Sequence, residues 1–166
     1  MPTKTKVKEL MTTDVITFKP TDKIRTVTKT LGSKRISGAP VIDDDNKVVG
    51  VISEADIMKL TASIPIPEIN LDPFDPYAFV NTFSHLRKVN HMWEDIDKQC
   101  ETLLSGTVED VMSKKIETVS PDDYISDVAR LMHKNDFNRL PVVDDNGKLV
   151  GLIARGDVIG VLVEDD

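Results

Sequence analysis

Positive charge, cysteine and aromatic side chains are all scarce in this chain of 166 residues. Lysine and arginine number 21 against 28 aspartates and glutamates, which gives a net charge of −7 and a pI of about 5.0. A protein that tracks a phosphate backbone needs a basic surface, so this deficit argues against DNA or RNA as a partner. The one cysteine, Cys100, excludes an internal disulfide and any zinc cluster built on cysteines. No apolar run approaches the ~18 residues of a membrane span, and the stretch Met1-Pro-Thr-Lys-Thr-Lys6 lacks the apolar core of a signal peptide. A soluble cytoplasmic chain with no membrane partner is expected.

Catalytic signatures are missing as well. His85 and His91 stand six apart on a predicted helix and face different ways, and His133 lies alone in a charged stretch, so no metal site is expected. There is no Walker loop and no Gly-x-Gly-x-x-Gly after a strand. Asp43-Asp44-Asp45 reads as an exposed turn, and Cys100 has no histidine base beside it. No catalytic residues, no catalytic cofactor and no enzyme activity are expected.

What the sequence does contain is a repeat. Shifted by 101 positions, Val7–Leu60 aligns with Val108–Val161 without a gap. Matched pairs include Met11/Met112, Pro20/Pro121, Ile24/Ile125, Val27/Val128, Pro40/Pro141, Asp43/Asp144, Gly50/Gly151, Ile52/Ile153 and Asp56/Asp157. Each copy opens with a short extended segment, Val15–Phe18 or Ile116–Val119. A helix follows, with apolar positions at Ile24, Val27 and Leu31 or at Ile125, Val128 and Met132. Ser120-Pro121-Asp122-Asp123 reads as that helix's start, with serine as cap and proline in the first turn. Two β-rich runs come next, joined by Asp43–Asn46 or by Asp144–Gly147, whose Asn-Gly favours a tight hairpin. A last helix is expected from Ser53 or Ala154. A β-α-β-β-α unit of ~54 residues buries little core alone, so the two copies should pack sheet to sheet about a pseudo-twofold axis.

Gly50-Val-Ile-Ser-Glu-Ala-Asp56 ends a strand and opens a helix. Ser53 and Asp56 can form a capping box. They can equally form a ribose clamp, in which a carboxylate accepts hydrogen bonds from vicinal hydroxyls beside free helix amides. The second copy, Gly151-Leu-Ile-Ala-Arg-Gly-Asp157, retains the acid but has Ala154 at the cap.

Pro-Val-Ile/Val-Asp, a turn, then Gly, two apolar residues and Ser/Thr-x-x-Asp resembles the cystathionine-β-synthase (CBS) domain, and the tandem copies resemble a CBS pair, or Bateman module. The resemblance covers 7–60 and 108–161. It implies an α+β fold and an adenine-containing ligand in the cleft between repeats: AMP, ADP or ATP, with S-adenosylmethionine the other candidate. The motif would hold ribose through Ser53 and Asp56, and in the second copy through Asp157. The adenine walls would be Ile16, Thr17, Ser37, Gly38 and Ala39 on one side, and Thr118, Phe137, Asn138 and Leu140 on the other. Arg139 and Arg155 would meet phosphate; Lys34 and Arg35, at a helix end, are weaker candidates.

Residues 61–107 have no counterpart in the repeat. Pro65, Pro67 and Pro73 mark a linker, and a helix is predicted over about 76–104. Phe79, Phe83, Leu86, Val89, Trp93, Ile96, Cys100 and Leu103 form one narrow apolar stripe on it. Such a stripe needs cover, from the chain's own core, from a second copy in a homodimer or from a client protein. Two functional readings follow: a non-catalytic ligand sensor that signals occupancy to a partner, and an interaction adaptor that works through this helix without a small ligand.

Overall fold

The computed structural model describes residues 4–61 and 97–164. Repeat 1 contains helix α2 (Ile24–Lys34), strands β1 (Gly38–Ile42) and β2 (Val48–Ser53), and helix α3 (Glu54–Thr61). Repeat 2 contains α6 (Ile125–Asn135), β3 (Arg139–Val143), β4 (Leu149–Ala154) and α7 (Arg155–Glu164). Single-turn helices α1 (Val7–Leu10) and α5 (Val108–Val111) open the two repeats, and residues 97–105 form helix α4. The rest of the helix expected over 76–104, with the aromatic part of its stripe, lies outside the described residues.

Each repeat folds an antiparallel hairpin, β1 on β2 or β3 on β4. The hairpin turns are built on one aspartate each. Asp43 Oδ1 accepts from the amides of Asp45 and Lys47, and Asp144 Oδ1 from those of Asn146 and Lys148, all at 2.9 Å. The turn closes through a left-handed residue, Asn46 (φ 64°) or Gly147 (φ 77°), both residue types that tolerate it.

The expected first strands contribute one residue each. Phe18 bridges Val41 in parallel, its N–H donating to Pro40 O at 3.1 Å and its carbonyl accepting from Ile42 N at 2.9 Å. Val119 does the same across Pro141 and Val143. A proline is tolerated in each strand because this parallel bridge uses its carbonyl and needs no N–H.

The larger departure from the linear reading is an exchange between the repeats. Val7, at the head of repeat 1, is fully buried in the core of repeat 2 with Ile125, Val128, Met132, Leu140, Val142 and Ile153. Val108 is fully buried in the core of repeat 1 with Ile24, Val27, Leu31, Val41 and Ile52. Backbone bonds fix the exchange: Val7 N–H to Asp123 O and Val108 N–H to Asp22 O, both 2.9 Å. Ser113 and Val51 exchange hydrogen bonds along the free edge of β2, and Thr12 and Leu152 do so along β4. The crossing also explains two matched pairs of the repeat. A Cβ on Gly50 would stand 2.5 Å from Met112 Sδ, and one on Gly151 2.6 Å from Met11 Sδ.

The exchange moves a helix start as well. Ser120 does not cap a helix; its N–H donates to Asp123 Oδ2 at 2.8 Å within a turn, and α6 begins only at Ile125. Tyr124 stays extended (φ −84°, ψ 141°) because it bridges Lys6, while the Ile125 amide donates to Thr5 O. Lys23 is held the same way against Thr107. Both helices then end in a left-handed residue that is not glycine, Arg35 (φ 54°) or Asp136 (φ 54°), which turns the chain sharply into the strand.

The crossing segment α1 is also tied down by charge. Lys6 Nζ and Lys8 Nζ reach Asp122 Oδ1 at 2.9 and 2.8 Å. These two ammonium groups hold the Asp122 carboxyl down to about 2. Hydrogen bonds to the Thr107 hydroxyl and amide lower Asp110, and backbone amides lower Asp144. A carboxylate whose folded pKa is depressed adds stability above its unfolded value near ~4 and loses it as pH falls through the folded value. Thermal midpoints should therefore drop between about pH 4 and pH 2, and Asp122→Asn should flatten that drop in a pH series of melting curves. An unchanged slope in the variant would mean that Asp122 contributes nothing to the acid limb.

Helix α4 joins repeat 1. Leu104 packs on its core cluster, and Cys100 and Leu103 line a small apolar hollow with Ile24, Ile57 and Leu60. This end of the predicted stripe is covered by the chain's own core. No helix among the described residues is long and apolar enough to cross a membrane.

Candidate functional site

The start of α3 is a complete capping box. Asp56 Oδ2 accepts from the Ser53 amide at 3.0 Å and from the Ser53 hydroxyl at 2.6 Å, while Ser53 Oγ accepts from the Asp56 amide at 3.3 Å. The same arrangement recurs at α5, where Asp110 Oδ2 takes the Thr107 amide and hydroxyl at 2.9 and 2.7 Å. Capping therefore accounts for one oxygen of Asp56. The other, Oδ1, faces the Lys59 ammonium at 3.3 Å, a side chain 78% exposed that a competing donor can displace.

Asp157 keeps half of this box. Its Oδ2 accepts from the Ala154 amide at 2.8 Å without any hydroxyl. The acid opposite alanine thus still caps its helix, through the backbone amide.

What distinguishes Asp56 is its surroundings. Ser53, Glu54, Ala55 and Asp56 form one wall of a cavity of about 340 Å³ between the repeats. The facing wall is Asp136–Pro141 of repeat 2, and Ser113, Lys115 and Glu117 close one side. The left-handed turn at Asp136 is what swings Phe137 and Asn138 into this cleft. The exchange of α5 into repeat 1 is what carries Ser113–Glu117 alongside Val51.

Seven of the residues named from the sequence meet here: Ser37, Ser53, Asp56, Phe137, Asn138, Arg139 and Leu140. Gly38 is buried beside the lining residue Ser37, its carbonyl accepting from Arg139. Ile16, Thr17, Ala39, Thr118, Arg155 and Asp157 are not among the lining of this cavity. Ala39 is 1% exposed in the core of repeat 1, and Ile16 packs against that same core. Thr118 lies one residue beyond the lining residue Glu117. Arg155 is held by Asp136 Oδ1 at 3.1 Å and Phe137 O at 3.0 Å.

Arg139 is the cross-link of the site. Its guanidinium donates to Gly38 O and Ser37 Oγ of the opposite repeat. Burial pushes it below its ordinary value, and the nearby Glu54 carboxylate opposes that shift. Sequence reasoning missed Glu54, Lys115, Glu117 and Asp136. Their signal was charge next to a predicted apolar segment, which the pattern of a single repeat leaves on the surface. The cleft carries four carboxylates against two cations. Among the described residues no group of three His, Cys, Asp or Glu side chains is placed to hold a metal ion.

Comparison with known proteins agrees with this architecture. The protein MJ1426 of Methanocaldococcus jannaschii is 37% identical over 158 residues, covering 95% of this chain and 90% of that protein. The chloroplastic CBSX1 of Arabidopsis thaliana is 32% identical over 156 residues, and there the match spans 88% of this chain but 58% of the relative. Among solved structures, CBSX2 in complex with AMP superposes with a TM-score of 0.67 at 27% identity, over 96% of this chain and 97% of that one. The CBS pair of MJ0100, at 23% identity, shares the fold with a TM-score of 0.69. The CBS domain family matches residues 7–63 and 108–164, the two copies of the internal repeat. The chain belongs to the CBS domain family and carries that domain twice.

Proposed function

We propose that this chain is a non-catalytic regulatory module that binds an adenine nucleotide, with AMP ahead of ADP and ATP, in the cleft between its repeats. One observation carries the reading: Ser53 and Asp56 of repeat 1 share a cavity of about 340 Å³ with Phe137–Leu140 of repeat 2. That volume is at the small end of the ~300–1,000 Å³ usual for small-molecule sites. Asp56 Oδ1 is free to accept from two ribose hydroxyls once Lys59 gives way. Phe137 offers a flat apolar surface for a base, and it packs against the core cluster that contains Leu140. The surplus of carboxylates disfavours a triphosphate, whose charge would need several cations. The AMP complex of CBSX2, a protein that matches nearly the whole of this chain, supports the same ligand class.

Occupancy has a direct route to the rest of the molecule. A ligand touching both walls favours the relative placement of the repeats that lets it do so, a shift of population rather than a new structure. A partner that reads that placement would receive the signal.

The test is thermal unfolding with AMP, ADP, ATP and S-adenosylmethionine in turn. Ligand at 100 times its dissociation constant stabilises a one-site protein by about 2.7 kcal/mol, a rise of roughly 5–10 °C at this size. AMP should give the largest rise. Failure of all four to move the midpoint would refute the nucleotide reading.

A further inference from the structure

We infer that Lys115 is the specificity-determining residue of the cleft, selecting a nucleotide monophosphate over the bare nucleoside. The inference rests on the nucleotide reading above and assigns its anion contact. Among the described residues, the other cation that lines the cleft and the two that bond to its lining residues are already engaged. Arg139 spends its guanidinium on Gly38 O and Ser37 Oγ, Arg155 on Asp136 and the Phe137 carbonyl, and Lys59 on Asp56. Lys115 lines the same cavity as Ser53 and Asp56, is exposed, and makes no hydrogen bond or ion pair among the described residues. Its neighbour Lys114 points elsewhere, to Glu109 at 3.6 Å.

The repeat makes the assignment directional. Under the shift of 101, Asp14 occupies the position of Lys115 and Gly38 that of Arg139. The mirrored position beside Asp157 therefore has an acid where the Asp56 cleft has its unengaged lysine. Glu54 and Asp136 are in turn matched by Arg155 and Arg35, so the two sites hold their cations in different places. A lysine contact to phosphate at this position is available beside Asp56 and not at its equivalent, although the two halves share a backbone fold.

Isothermal titration of the full chain with AMP and with adenosine tests the assignment. Wild type should bind AMP more tightly than adenosine. A hydrogen bond to a charged group is worth about 1.5–3 kcal/mol, so Lys115→Gln should cut the AMP-over-adenosine ratio by about tenfold or more. Lys115→Arg, which keeps the charge, should retain most of that ratio. Equal losses for AMP and adenosine in Lys115→Gln, or an unchanged ratio, would overturn the assignment. If wild type bound neither compound, the nucleotide reading itself would fall, a result distinguishable from failure of the lysine alone.

Discussion

Asp56→Ala should abolish AMP binding while leaving a folded protein. The carboxylate has two separable duties, one per oxygen. Oδ2 caps the start of α3, and removing a capping side chain costs about 1 kcal/mol. The melting temperature should therefore fall by only ~2–4 °C in a chain of this size. Oδ1 is the acceptor offered to vicinal hydroxyls, and two charge-assisted hydrogen bonds at about 1.5–3 kcal/mol each amount to a loss of at least ~100-fold in affinity. Asp56→Asn separates the duties further. An amide oxygen still caps the Ser53 amide, so most of the stability should remain, but the negative charge that binds the hydroxyls is gone. Calorimetric titration beside melting curves reads both effects on the same samples. AMP affinity within a few-fold of wild type in Asp56→Ala would return the motif to pure capping, the role that Asp110 plays at α5.

The repeat was legible because its matched positions are those that local structure demands. Asp43 and Asp144 nucleate the turns, Pro40 and Pro141 sit where a strand needs no donor, and Ile24, Val27 and their counterparts keep helical spacing. The motif at Ser53–Asp56 was legible for the same reason, since a capping box is written within four residues. The cavity's other wall was legible only in part. Phe137–Leu140 follow from the family pattern, whereas Lys115 and Glu117 reach the cleft because α5 crosses to repeat 1. That crossing leaves no local trace. Val7 and Val108 occupy equivalent positions at the heads of the two aligned copies, so self-comparison assigns each to the copy it opens. A tertiary choice between two equivalent cores decides where they go. The same choice holds Tyr124 extended and delays α6 to Ile125, which is why a sound capping signal at Ser120 closed a turn and not a helix.

If the cores are exchanged in this way, truncating Val7 should loosen repeat 2, not the repeat that Val7 begins. Val7 is fully buried among Ile125, Val128 and Ile153. Removing two methyl-sized groups at ~0.8 kcal/mol each, with some residual cavity, puts Val7→Ala at about 2 kcal/mol. Val7→Asp would bury an unpaired carboxylate at a cost of several kcal/mol, a large share of the ~5–15 kcal/mol total of an ordinary domain. Native-state hydrogen exchange locates the damage. In Val7→Ala the amides of Leu140, Val142 and Ile153 should lose protection first, and those of Val41 and Ile52 should lose it first in Val108→Ala. Loss of protection in β1 and β2 on changing Val7 would refute the exchange. The consequence for the cleft is direct: Ser113–Glu117 stand beside Asp56 only while Val108 stays seated in repeat 1. Val108→Ala should therefore weaken AMP binding as well as stability, although Val108 itself never touches the ligand.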